Sequence, residues 1–244
     1  MDIDKGLKKV VFEVFEGKVV HGVFARHGGM SEKPYDSLNF SVTVGDSQEC
    51  VDTNTERALK SLQLSRFQRA YQVHGPVVRE VVSQIEPPKC DGLMTNQKGL
   101  GLLITHADCQ AAIFYDPIHK ALAVVHSGWR GSVANIYQET VRAMGERYGS
   151  QPEELLVGIS PSLGPEAAEF KNYKEELPRS FWEFQVKPNY FNFWEISRWQ
   201  LLSAGLLPHH IEIARICTYT TPEDWFSYRR APLSGRHATI AALQ

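Results

Sequence analysis

Apolar and polar positions along this chain follow two periods. Residues 10–14 and 19–25 are rich in β-branched side chains on either side of Glu16-Gly17, which predicts an N-terminal hairpin. Residues 70–73 and 77–82 read as strands flanking His74-Gly75-Pro76. Residues 100–105, 111–115 and 121–125 are continuous apolar runs of strand length, as expected for central strands covered on both faces. Residues 155–159, 211–216 and 239–242 add further strands, with a loop over 161–165. The helical period is clearest over 132–148, where Val133, Ile136, Tyr137, Thr140, Val141 and Met144 share one face and Gly149 closes the helix. A second helix is predicted from a cap at Asp46 through Leu62, and a third over 194–204 ending at Gly205. Strands grouped in hairpins with only three or four helices break the βαβα rhythm of Rossmann and barrel folds. The pattern predicts an α+β fold with mixed sheets, in a single domain over residues 1–244.

Charge narrows the partners. Lys plus Arg number 26 against 28 Asp plus Glu, a net charge of −2 without a basic run. This argues against nucleic-acid binding and against anionic membranes. No apolar run approaches the ~20 residues that span a bilayer, and residues 1–10 lack a signal-peptide core. The four cysteines, Cys50, Cys90, Cys109 and Cys217, form no C-x-x-C pair. In a chain long enough to bury its own core, that usage predicts reduced thiols and a cytoplasmic protein. Any metal is then expected to serve chemistry rather than folding.

Candidate chemistry concentrates in one stretch. Ala107-Asp108-Cys109 precedes the run 111–115, and the run 121–125 leads into His126-Ser127-Gly128-Trp129-Arg130-Gly131. If residues 116–119 form a four-residue turn, Tyr115 lies opposite Lys120 and Cys109 opposite His126. Opposed residues on an antiparallel pair have Cβ atoms ~4.5–5.5 Å apart, close enough to share a proton or a metal. Such a pair is a nucleophile with its base, two ligands of a thiolate-tolerant metal, or two ordinary core residues. His74, at a Gly-Pro turn, would complete an N₂S set with an open fourth position. Gly128 and Gly131 permit a tight turn before a helix beginning at Ser132, whose free N–H groups beside Arg130 would suit an oxyanion. Arg26, Arg229, Arg230 and Arg236 are further cations that could clamp phosphate or a carboxylate.

Seven motifs in order tie these features together: Ala25-Arg26-His27-Gly28-Gly29, Tyr35-Asp36-Ser37-Leu38-Asn39, Gln72-Val73-His74-Gly75, Ala107-Asp108-Cys109, the His126–Gly131 segment, Cys217-Thr218-Tyr219-Thr220 and Phe226-Ser227-Tyr228-Arg229-Arg230. Across residues 22–241 the chain closely resembles the YfiH family, also called the multicopper polyphenol oxidase or laccase-domain family and described as purine nucleoside phosphorylases. The resemblance implies mixed sheets sandwiched between helices in α/β/β/α layers, and a relation to bacterial toxin deamidases. It implies a zinc site at His74, Cys109 and His126, with copper as the other metal to consider. The implied activities are phosphorolysis of adenosine, inosine, guanosine and methylthioadenosine, and hydrolytic deamination of adenosine. Two departures stand out: Ser127 replaces the family's alanine, and Phe24-Ala25-Arg26 replaces Thr-Thr-Arg.

From that resemblance, a metal at His74, Cys109 and His126 is expected to activate water against C6 of adenine. Asp108 or Asp91 is the expected proton carrier, and His106 an acid for the leaving purine. Arg26, Arg130 and Arg230 are expected to hold phosphate, and Asn39 a ribose hydroxyl. Three other readings compete. A metal-free cysteine hydrolase would take Cys109 as nucleophile and His126 as base. A copper-dependent polyphenol oxidase would need more ligands than one His/Cys/His set. A non-catalytic binding module would present Trp182, Trp194 and Trp225 on its surface.

Overall fold

The computed structural model describes the backbone of residues 2–4 and all atoms of residues 6–244. In chain order the strands are β1 (Asp2–Asp4), β2 (Leu7–Val10), β3 (Val19–Phe24), β4 (Arg66–Arg69), β5 (Val78–Glu80), β6 (Gly92–Thr95) and β7 (Leu100–His106). They continue with β8 (Gln110–Asp116), β9 (Ala121–Ser127), β10 (Leu156–Ile159), β11 (Gln185–Lys187), β12 (Tyr190–Phe191), β13 (Ile211–Ile213) and β14 (His237–Leu243). The helices are α1 (Gln48–Ser61), α2 (Trp129–Val133), α3 (Ile136–Tyr148), α4 (Tyr173–Glu176) and α5 (Phe193–Ser203).

Two six-stranded sheets carry the fold, in the orders β1-β2-β3-β14-β7-β4 and β13-β10-β8-β9-β6-β5. Both are mixed: β4 runs parallel to β7, and β5 and β13 run parallel to β6 and β10. One core cluster lies between the sheets, drawing Val23, Leu102 and Ile104 from the first and Ile113, Leu122 and Val124 from the second. Alternate residues face outward. Ala112, Phe114, Ala123 and Val125 pack under α3 and α5 through Ile136, Tyr137, Val141 and Leu201. On the other side Phe24, Leu103 and Ile240 meet Ala58, Leu59 and Leu62 of α1 and its end. Each sheet is therefore covered on both faces, which explains why β7, β8 and β9 read as continuous apolar runs rather than as alternation. The layering is helix, sheet, sheet, helix, as the family resemblance implied. No helix among the described residues is long and apolar enough to cross a membrane.

Several boundaries differ from the sequence expectation, each for a local reason. The N-terminal hairpin exists, with Lys9 opposite Phe24, but its first strand ends at Val10. Residues 13–15 form a 3₁₀ turn that carries Phe15 into the core. Helix α1 is capped by Ser47, whose Oγ accepts from the Cys50 N–H at 3.1 Å; Asp46 instead accepts from Asn39 Nδ2 at 2.8 Å. The expected helix over 132–148 is two helices. Asn135 adopts a left-handed conformation between them (φ 54°), and its side chain caps α3 at Gln138 N–H. Ser132 thus lies inside α2, and its N–H donates to Gly128 O at 2.9 Å rather than standing free for an anion.

The largest topological difference concerns residues 70–82. The strand expected at 70–73 lies earlier, as β4, and the one expected at 77–82 shortens to β5, which belongs to the other sheet. His74, expected at a tight Gly-Pro turn between the two runs, therefore sits on a crossover between the two sheets.

Candidate metal centre and cleft

Three segments converge at one edge of the sandwich: the crossover at His74, the β7–β8 loop and the end of β9. The β8–β9 register pairs Ala111 with His126 and Asp116 with Ala121, leaving a turn over 117–120. That is two residues from the register expected from the sequence, so it keeps side-chain parity. Cys109 is then not opposite His126. It precedes β8, following Asp108 at φ 77°, and this left-handed residue brings the sulfur back to the strand mouth.

Asp91, wholly buried just before β6, organises the crossover. Its carboxylate accepts the backbone N–H groups of Val73, His74 and Gly75 at 3.0, 2.9 and 2.8 Å. It also bonds His126 Nδ1 at 2.9 Å. Burial by itself would raise its pKa, but the His126 bond and the Gly75 and Val73 N–H groups outweigh that and hold it below the usual carboxylate value. Asp91 was expected as a proton carrier; its oxygens are instead spent on the crossover backbone and on His126.

The ligand atoms of His74, Cys109 and His126 all lie within 4.8 Å of one another. The two imidazoles meet edge to face at 4.8 Å between centroids. With Nδ1 turned to Asp91, His126 offers Nε2 to the cluster, the arrangement in which a carboxylate orients a metal-binding histidine. A Cβ at Gly128 would lie 3.1 Å from both Cys109 Sγ and His74 Nδ1 and 3.5 Å from His126 Cε1. Glycine there leaves open the space that the three donors face. Two imidazoles and a thiol with a free fourth direction match zinc-type coordination, so these residues fit a metal ion. His74 is held below its ordinary pKa by burial, with His126 and Arg130 adding repulsion, which favours the neutral, ligating form. For His126 burial acts downward, but attraction to Cys109 and the Asp91 bond prevail and push it up to about 9.

The cluster lies where two cavities join. A polar one of about 490 Å³ contains all three cluster residues with Arg130 and Arg236 on its walls. A smaller one of about 240 Å³ is lined by Trp129, Leu163, Phe170 and Phe193, with Gln110, Ser127, Asp108 and Arg229 among its polar groups. Cys109, Trp129 and Tyr228 border both.

The other expected site residues divide. Arg130 lines the polar cavity and stacks on Trp129, 4.5 Å from the ring centroid. His106 also borders it, deeply buried, with Nε2 2.9 Å from Thr239 Oγ1 and a pKa pulled well down, chiefly by burial. Arg26 lines neither cavity; it donates to Asp36 O and Pro222 O and lies over the Phe226 ring. Arg230 is likewise spent on the carbonyls of Thr218, Tyr219 and Trp225. Asn39 is wholly buried, donating to Ser41 O and Asp46 and accepting from Ser41 and Arg236 N–H groups. Asp108 accepts from Thr218 Oγ1, Ser227 Oγ and the Arg229 N–H at 2.6, 3.0 and 2.6 Å, so it ties the 217–229 loop to the cluster.

Both departures from the family pattern have a place. Ser127 Oγ bonds Ser132 Oγ at 3.1 Å beside the aromatic cavity, whereas Phe24 and Ala25 are buried away from it. Trp225 and Trp194 are buried and Trp182 packs edge to face on Tyr173, so the three form no exposed aromatic surface. Phe170 and Phe193 carry no motif around them and had no sequence signal beyond aromaticity. Arg236 was visible only as one cation among several.

Residues 20–244 match the family model for multi-copper polyphenol oxidoreductase laccase. The chain belongs to this family, known also as YfiH. Curated relatives include a Bacteroides thetaiotaomicron protein named purine nucleoside phosphorylase, 31% identical over 89% of each chain. Escherichia coli purine nucleoside phosphorylase YfiH is 30% identical, covering 89% of this chain and 91% of its own. Among solved structures, YlmD from Geobacillus stearothermophilus superimposes with a TM-score of 0.90 at 26% identity, covering 100% of this chain and 98% of that one.

Proposed function

We propose that the protein is a metal-dependent purine nucleoside phosphorylase acting on adenosine, inosine, guanosine or methylthioadenosine as a single catalytic domain. The observation that carries this reading is the position of the His74, Cys109 and His126 cluster at the junction of an aromatic and a cationic cavity. Its support from outside the chain is the name shared by family members of near-equal length. The aromatic cavity suits a purine, which can lie against the Phe170 and Phe193 rings, themselves packed together at 5.1 Å between centroids. Arg130 and Arg236 place positive charge where phosphate would enter. The ribose then lies between them, against the cluster. In phosphorolysis a phosphate oxygen bonds to C1′ as the C1′–N9 bond breaks, and the electron pair leaves with the purine, which takes up a proton. A divalent ion such as zinc, held by His74, Cys109 and His126, would supply Lewis-acid polarisation in that cleft.

The chain's own residues prepare the site. Asp91 fixes the His126 ring and the His74 backbone together, so two of the three donors share one anchor. Asp108 keeps the 217–229 loop, with Tyr228, closed over the junction. Arg26, Arg230 and Asn39 act at one remove, by holding loops. Four free cysteines accord with a cytoplasmic setting. Deamination of adenosine is a second use of the same cleft. The Cys109–His126 attraction that raises the imidazole pKa also suits a metal-free nucleophile and base.

A chromatographic assay of purified protein with adenosine, with and without phosphate and with and without a zinc chelator, tests the reading. Phosphate-dependent adenine that disappears on chelation is expected. Inosine formed without phosphate would identify the deaminase activity. Chelator-resistant turnover blocked by iodoacetamide would favour the cysteine hydrolase instead, and no product from a metal-loaded sample would overturn the proposal.

A further inference from the structure

The β8–β9 hairpin carries chemistry at both ends. At its open end stand Cys109 and His126. At its closed end Asp116, His119 and Glu154 bring ligand atoms within 4.8 Å of one another. Asp116 is the last residue of β8 and His119 lies in the turn to β9. Glu154 ends a 3₁₀ turn, Pro152–Glu154, that leads into β10. The antiparallel pairing of Leu156 with Tyr115 delivers Glu154 to the side of Asp116.

The electrostatics of this corner are incomplete. Asp116 is wholly buried; its Oδ1 accepts the N–H groups of Ile118 and His119 at 2.8 and 2.9 Å, and its Oδ2 faces His119 Nδ1 at 2.9 Å. Glu154 Oε2 is buried with no hydrogen-bond partner. Ser150 Oγ, on a residue only 3% exposed, is turned toward the Asp116 carboxylate. Among the described residues no lysine or arginine pairs with either carboxylate; the one ionic partner is His119, charged only when protonated. A buried carboxylate oxygen without a donor costs several times a typical net hydrogen bond. With the Glu154 oxygen left without a donor, two carboxylates converging on one imidazole leave negative charge that a cation would satisfy. Calcium and magnesium prefer all-oxygen shells, whereas one imidazole nitrogen with two carboxylates suits zinc and its first-row neighbours. His119 is 37% exposed, which gives an ion a path from solvent.

We propose that Asp116, His119 and Glu154 form a second metal site, for a zinc-type divalent cation, that ties the β8–β9 turn to the entry of β10. The site is independent of the cleft cluster and shares no residue with it. It acts as a brace: the cation joins two adjacent strands at the end remote from Cys109 and His126, and so limits how the hairpin can shift.

Zinc stoichiometry of the full chain, measured by elemental analysis after dialysis against trace zinc, tests this. The wild type should hold two equivalents. His119→Ala, at an exposed position, and Glu154→Gln, an isosteric change at a partly buried one, should each lower the count by one while far-UV dichroism stays unchanged. Cys109→Ser should retain the second ion, and in that background zinc should raise Tm, an effect lost on adding Glu154→Gln. If the cleft binds no metal, the wild type holds one equivalent that Cys109→Ser keeps and His119→Ala removes, which separates the two sites. An unchanged count in both His119→Ala and Glu154→Gln would overturn the proposal. So would loss of the second equivalent only on substituting His209 and His210, which line the same cavity as Glu154.

Discussion

Gly128→Ala tests the cleft cluster without deleting a ligand. The residue has φ −77° and ψ 175°, so its backbone accepts any side chain. The gain from stiffening the unfolded chain is about 0.4–1 kcal/mol, set against the weaker N-cap preference of alanine. The net stability change should therefore stay within about 1 kcal/mol. The added methyl, however, would sit 3.1 Å from Cys109 Sγ and 3.1 Å from His74 Nδ1. Comfortable non-bonded separations begin near ~3.5 Å, so both donors must retreat by several tenths of an ångström. Metal–ligand distances tolerate about ±0.2 Å. Displacement of that size at two donors should weaken metal binding at least as much as losing an outer-shell partner, about 10–100-fold. Competition against a chromophoric zinc chelator reads the affinity, and urea unfolding of the metal-free protein reads the stability. Wild-type affinity in a stably folded Gly128→Ala protein would refute the assignment of these residues to a metal.

Four further outcomes are expected. Gly158→Ala places a Cβ 2.4 Å from the Phe12 ring, where β10 and the N-terminal segment meet, and should cost about 1–3 kcal/mol in urea melts. Asp108→Ala removes three hydrogen bonds to the 217–229 loop; it should cost at least about 2 kcal/mol and expose the loop to protease, and a shifted pH–rate limb with an intact loop would return Asp108 to a proton-carrying role. In the metal-free protein His126 has a folded pKa of about 9, above its unfolded ~6.5. Its stabilisation is present in full below pH ~6.5 and is lost as pH rises through about 9, so Tm should fall across that window, and fall less in Cys109→Ser. Arg236→Met should raise KM for phosphate more than KM for nucleoside; equal rises would remove it from the phosphate side.

The central strands were legible because they are buried on both faces, and a doubly covered strand writes an uninterrupted apolar run; the layering itself came from the family resemblance. Strand parity at Cys109 and His126 was legible for a related reason: the turn length fixed it even where the register was two residues off. What stayed hidden depended on distance in sequence. Nothing around His74 tells that residues 66–69 and 78–80 join different sheets, because both are short and half-exposed. The roles of Asn39, Arg26 and Arg230 were hidden differently. Their motifs are those of loops that need a polar hub, and a hub residue looks the same in sequence as a residue that binds a ligand. Asp91 was expected as a proton carrier, although its carboxylate is the anchor of the whole crossover.

Strand β14 lies at the centre of the first sheet, hydrogen-bonded to β3 on one side and β7 on the other. The two strands it joins are separated from it in sequence by more than 130 residues. As the chain leaves the ribosome, β3 and β7 must wait, unpaired along their inner edges, until residues 237–243 emerge. The second sheet meets no such delay, since β8 and β9 zip as a local hairpin and β10 follows within 30 residues of it. Synthesis order therefore imposes a folding order: the half that carries Cys109 and His126 can form first, and the half that closes over it is completed last. Long-range pairing of this kind is slow and leaves edges open to other chains meanwhile.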